Sequence, residues 1–136
     1  FDGVLMALAL CFVADTPQAL AECRRVLRNR GLLLLGIVPA DSAWGRAYIE
    51  KAGRGHPVYA HACFRTVKET LTLARESGFI LLRAASTLFW APGGVPETEP
   101  DVRPGIENGG GCTGLLFERT GQGRASHSPG PECGQP

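Results

Sequence analysis

Apolar residues run almost unbroken from Val4 to Leu10 and again from Leu32 to Val38. Between these runs they recur at three- and four-residue spacing through Ala19, Leu20, Cys23, Val26 and Leu27. Unbroken runs predict strands buried on both faces, and the spaced set predicts a helix with one buried stripe. Phe1 to Val38 therefore reads as strand, helix, strand, with the first strand over Phe1 to Leu10. This is the pattern of an α/β fold, a parallel sheet onto which the crossover helix packs back.

The punctuation agrees. Asp15 or Thr16 can cap the helix, Pro17 suits its first turn, and Arg24, Arg25, Arg28 and Arg30 crowd its end, with Gly31 placed for a left-handed cap. Pro39 ends the second strand. From Asp41 to Phe64 the aromatics Trp44, Tyr48, Tyr59 and Phe64 mix with Arg46, His56, His61 and Cys63 without a clean period. An insertion after a strand's carboxyl end lies over the ligand crevice of such folds, so residues 41–64 are expected to form a lid. Thr66-Val67-Lys68-Glu69 matches a capping box, and Val67, Leu71, Ala74 and Gly78 share one face of the helix that follows. Ile80 to Trp90 and Thr113 to Glu118 are the last two strands. With a Pro/Gly-rich loop over 92–111 and no helix between them, they should pair antiparallel. Residues 1–120 form the expected domain and 121–136 a Gly/Pro/Ser-rich disordered tail.

Composition narrows the function classes only by exclusion. The 136 residues carry a formal charge of +1 with both signs interspersed, so no nucleic-acid or membrane-surface partner is expected. No run reaches the roughly 18 apolar residues of a membrane span, and no signal peptide is recognisable, so a cytoplasmic protein is expected. Five cysteines without a C-x-x-C pair suggest reduced thiols. The chain starts at Phe1, already inside a strand, which suggests a fragment of a longer protein.

Phe1-Asp2-x-Val4, Cys11-Phe12-Val13-Ala14-Asp15 and Leu20-x-Glu22-x-x-Arg25-Val26-Leu27-x-x-x-Gly31 together resemble the second half of class I S-adenosylmethionine-dependent methyltransferases. The likeness is to the small-molecule type that includes quinone-biosynthesis enzymes. The resemblance implies an incomplete Rossmann-like sheet holding strands four to seven in the spatial order four, five, seven, six, the last strand antiparallel. It implies S-adenosylmethionine as cofactor of the complete protein, with Ala7, Leu8, Leu10 and Phe12 beside its methionine and adenine parts. The family's glycine-rich cofactor loop and its ribose-binding acid have no counterpart here: the G-x-G at Gly121 follows no strand-helix unit. By this resemblance the chain alone would be inactive.

The residues themselves leave rival readings open. Apolar side chains at strand ends are also ordinary core. His56 and His61 in the expected lid are candidate catalytic bases for deprotonating a hydroxyl acceptor, or structural histidines. Trp44, Tyr48 and Tyr59 could bind an apolar substrate, or pack the insertion onto the sheet. His56, His61 and Cys63 match no zinc spacing, so no metal is expected. Two functions from different classes follow: methyl transfer to a small-molecule acceptor in the complete protein, or a non-catalytic interaction module that self-associates through the exposed edge of the first strand.

Overall fold

Strand β1 (Gly3–Ala7) forms one edge of a five-stranded sheet in the computed structural model, which describes residues 1–96, 99 and 101–121. Its parallel neighbour is β2 (Leu32–Ile37), followed across the sheet by β5 (Cys112–Arg119), β3 (Phe79–Thr87) and the two-residue β4 (Arg103–Pro104). β5 runs antiparallel to both β2 and β3. The expected order four, five, seven, six is thus present, with β4 added from a stretch expected to be loop. The tail expected from Gly121 lies, beyond that residue, outside the described residues.

Helices α1 (Thr16–Val26) and α3 (Val67–Glu76) join the parallel strands β1, β2 and β3. Successive right-handed crossovers that progress in one direction put both helices on one face. On that face Val4 and Met6 stand opposite Leu33 and Leu35, which stand opposite Phe117 and Leu115. This row joins Leu20, Leu27, Leu73, Ala74 and Phe79 in the core. The other face is open among the described residues. Leu5, Leu32, Leu34 and Ile80 there are 66%, 39%, 41% and 47% exposed, so strands expected to be buried on both faces are buried on one.

The ends of α1 show what local signals reach. Asp15 caps it, accepting from the Gln18 N–H at 2.9 Å, and Pro17 sits in the first turn. The helix stops at Val26, earlier than expected, because Leu27 turns to extended backbone and buries its side chain. Arg30, not Gly31, takes the left-handed conformation, with φ +59°. Gly31 is needed for another reason: a Cβ there would lie 2.8 Å from the Arg28 carbonyl oxygen. Arg28 and Arg30, expected on the helix, instead pair with Asp2 at 2.5 Å and Glu118 at 3.5 Å.

The stretch read as an aperiodic lid contains a helix, α2 (Ala43–Gly53), and a short 3-10 turn over Tyr59–His61. Ser42 caps α2, its Oγ accepting from the Gly45 N–H at 2.9 Å and donating to the Pro39 carbonyl at 2.7 Å. α3 has the capping box its sequence predicts. Thr66 Oγ1 accepts from the Glu69 N–H at 3.2 Å and the Glu69 carboxylate accepts from the Thr66 N–H at 2.7 Å. Thr66→Ala is therefore expected to cost about 1 kcal/mol in urea unfolding, the usual worth of a lost cap; an unchanged midpoint would show the box to be idle.

Candidate functional site

Where β1 and β2 end, a cavity of about 230 Å³ opens beneath the α2 segment. Its floor is Leu8, Leu10, Gly36, Ile37 and Val38, from the carboxyl ends of the two strands and the residues just after them. This is the end of an open α/β sheet at which ligands bind. Cys11 and Phe12 come from the 3-10 turn Leu10–Phe12. The wall is Tyr48 of α2 with Val58, Tyr59, Cys63, Phe64 and Arg65.

Backbone hydrogen bonds hold the wall to the floor. The Cys63 N–H donates to the Cys11 carbonyl at 2.6 Å, and the Ala40 N–H to the Arg65 carbonyl at 3.0 Å. The aromatic rings pack on one another: Tyr48 and Tyr59 lie 4.7 Å apart between centroids, and Tyr48 stacks on Phe64 at 5.9 Å and 15°. Trp44 anchors α2 from outside, donating its indole N–H to the Trp90 carbonyl at 2.8 Å. At the floor, Leu8 has φ +54° and is fixed by its N–H bond to the Gly36 carbonyl at 2.8 Å. A bulky residue held left-handed stores strain of about 1–3 kcal/mol, and such strain collects at ligand sites.

Burial sets the protonation of the lining. It pushes the Cys11 thiol up, against the pull of its backbone hydrogen bond and of Arg65, so at neutral pH the thiol stays protonated and is a poor nucleophile. Burial also raises the Tyr48 phenol, with Tyr59 adding to the effect. Cys11, Cys23 and Cys112 are free thiols, as expected, whereas Cys63 is disulfide-bonded, a correction to the expectation of reduced thiols throughout.

Of the residues singled out from sequence, the cavity brings together Leu8, Leu10, Phe12, Tyr48 and Tyr59. Ala7 lies beside it, paired with Gly36. Leu10 is 3% exposed and belongs to the core as well, whereas Leu8 and Phe12, about half exposed, form an apolar shelf. Trp44, His56 and His61 do not line the cavity: His56 stacks on Tyr59 at 4.7 Å and accepts from the Val58 N–H at 3.3 Å, and His61 is exposed. Among the described residues no group of three or more His, Cys, Asp or Glu could hold a metal ion, and no helix is long and apolar enough to cross a membrane.

Arg65 was not legible as a site residue. Among the described residues it is the one charged residue of the lining, and its only sequence signal is its place between Phe64 and the Thr66 cap.

Residues 1–35 match the family model described as a methyltransferase domain. An uncharacterised protein of Mycobacterium bovis is 37% identical over 115 residues, which are 85% of this chain and 40% of that protein. One of Methanocaldococcus jannaschii is 32% identical over 110 residues, 81% of this chain and 52% of that protein. The chain thus spans about half or less of these relatives. Among solved structures, an S-adenosylmethionine-dependent methyltransferase of Thermotoga maritima, described as a possible histamine N-methyltransferase, superposes with a TM-score of 0.80 at 31% identity. That match covers 88% of this chain and 56% of that one.

Proposed function

We propose that this chain, which has the Rossmann-like fold of the S-adenosylmethionine-dependent methyltransferases, forms the acceptor side of a methyl-transfer site in a longer cytoplasmic protein. The acceptor is a small molecule. The observation that carries this reading is the apolar cavity at the carboxyl ends of β1 and β2, opening beside the shelf of Leu8 and Phe12. The shelf suits the adenine and methionine parts of the cofactor. The lining offers no carboxylate for a ribose, so among the described residues the fit covers only the apolar parts of S-adenosylmethionine.

When bound, S-adenosylmethionine supplies a methyl group activated by its sulfonium, open to in-line attack by an acceptor lone pair. The chain's own residues position that acceptor, and alignment of the reacting atoms is the main source of rate in such a displacement. Tyr48, Tyr59 and Phe64 clasp an apolar body and exclude water, while the strained turn at Leu8 fixes the floor. A hydroxyl acceptor needs a proton acceptor as well. His56, outside the lining but in contact with Tyr59, is the histidine we assign that role.

Calorimetric titration of the folded chain with S-adenosylhomocysteine tests the reading without knowledge of the acceptor. Saturable binding that weakens about 10-fold in Phe12→Ala, the usual worth of an adenine-aromatic stack, is expected if the shelf holds the cofactor. A folded chain that ignores the compound at millimolar concentration would sink methyl transfer by this chain alone. The second reading, association without catalysis, is favoured by β1, which pairs only with β2 among the described strands, and by the bare apolar face continuous with it.

A further inference from the structure

Among the described residues Arg65 brings the one charge into an otherwise uncharged lining. Its Nη1 is buried and has no hydrogen-bond partner. Among the described residues it forms no ion pair. Glu69 also influences it, although the Oε2 of that carboxylate already accepts from the Thr66 N–H at 2.7 Å and the Thr66 hydroxyl at 3.0 Å. Buried polar groups are almost always satisfied, so an unpartnered guanidinium nitrogen beside an apolar cavity calls for an acceptor atom from outside the chain.

We propose that the cavity takes a small molecule with an aromatic or apolar body and a carboxylate, the body lying against Tyr48, Tyr59 and Phe64 and the carboxylate held by Arg65. A carboxylate fits better than a phosphate. The guanidinium fork pairs two coplanar oxygens, and the Thr70 hydroxyl, which could have served a third, already donates to the Thr66 carbonyl at 3.0 Å. The volume of about 230 Å³ suits a body of one ring with a short chain. In a methyl-transfer enzyme this makes the acceptor a carboxylic acid, an assignment that rests on the cavity being the acceptor site. The binding of carboxylates does not rest on it.

The test needs no cofactor. The 136-residue chain is titrated calorimetrically with 3-phenylpropionate, its amide, 2-phenylethylamine and phenyl phosphate, and the titrations are repeated with Arg65→Gln. The carboxylate should bind about 10- to 100-fold more tightly than the amide, the range of a charge-assisted hydrogen bond. Arg65→Gln should erase that difference while the amide still binds saturably, which also shows that the variant keeps its cavity. Should the variant fail to fold, the ranking of the four probes on the unaltered chain decides alone. Equal affinities, tighter binding of the amine or the phosphate, or no saturable binding by any probe would overturn the proposal. Carboxylate binding without S-adenosylhomocysteine binding keeps this inference and fails the cofactor reading, and the reverse result does the opposite.

Discussion

Gly45→Ala is expected to lower stability by about 2 kcal/mol and to abolish ligand binding in the cavity. Gly45 sits in the first turn of α2, where a Cβ would lie 2.0 Å from the Pro39 carbonyl oxygen and 2.8 Å from the Ala40 Cα. Both obstacles are backbone, so no side-chain rotation relieves them and the helix itself must move. Overpacking of this kind costs about 1–3 kcal/mol, more than the roughly 1 kcal/mol that alanine gains over glycine in helix propensity. A displaced α2 takes Tyr48 out of the wall and breaks the Trp44 bond to the Trp90 carbonyl. In a thermal melt followed by circular dichroism the midpoint should fall by roughly 8 °C, with loss of the near-ultraviolet signal of Trp44. Gly53→Ala is the control. It lies on the same helix with nothing within 4 Å of a Cβ, and should be neutral or stabilising by up to about 1 kcal/mol. If both variants behave alike, close approach is not what seats α2.

The same helix marks the limit of what sequence reveals. α1 and α3 announce themselves through caps whose partners are three residues away, Asp15 with Gln18 and Thr66 with Glu69. β2 is legible from its leucine run. α2 has a comparable cap at Ser42 and an aromatic pair, Trp44 and Tyr48, one helical turn apart. Gly45 and the scattered aromatics mask that signal, because the residues are chosen for contact with the 39–40 segment and the cavity rather than for helix propensity. Arg65 is hidden for a different reason. Its meaning depends on the long-range closure of residues 58–65 over the ends of β1 and β2, and no local period encodes that closure. His56 and His61 are conspicuous by chemistry alone, and the structure leaves both outside the lining.

Leu34 and Leu35, adjacent in β2, should give opposite phenotypes. Leu35 is fully buried opposite Met6 and Leu115, so Leu35→Ala should cost about 2–5 kcal/mol and shift urea unfolding accordingly. Leu34 is 41% exposed on the bare face, opposite Leu5 and Leu116, so Leu34→Lys should leave the unfolding midpoint nearly unmoved. Its effect should be on association. Two apolar rows cross this face, Leu5 to Leu34 to Leu116 in one register and Leu32 to Ile80 across Glu118 in the next. Exposed apolar patches of this kind drive contact between chains, and a free strand edge beside them supplies the hydrogen bonds that order it. Sedimentation velocity of the unaltered chain should therefore show concentration-dependent self-association, and Leu5→Lys combined with Leu34→Lys should return it to a monomer that still melts cooperatively. A chain that is monomeric across the micromolar range would mean that this face tolerates water. That result would remove the observation favouring the interaction-module reading and leave the cavity as the chain's functional surface.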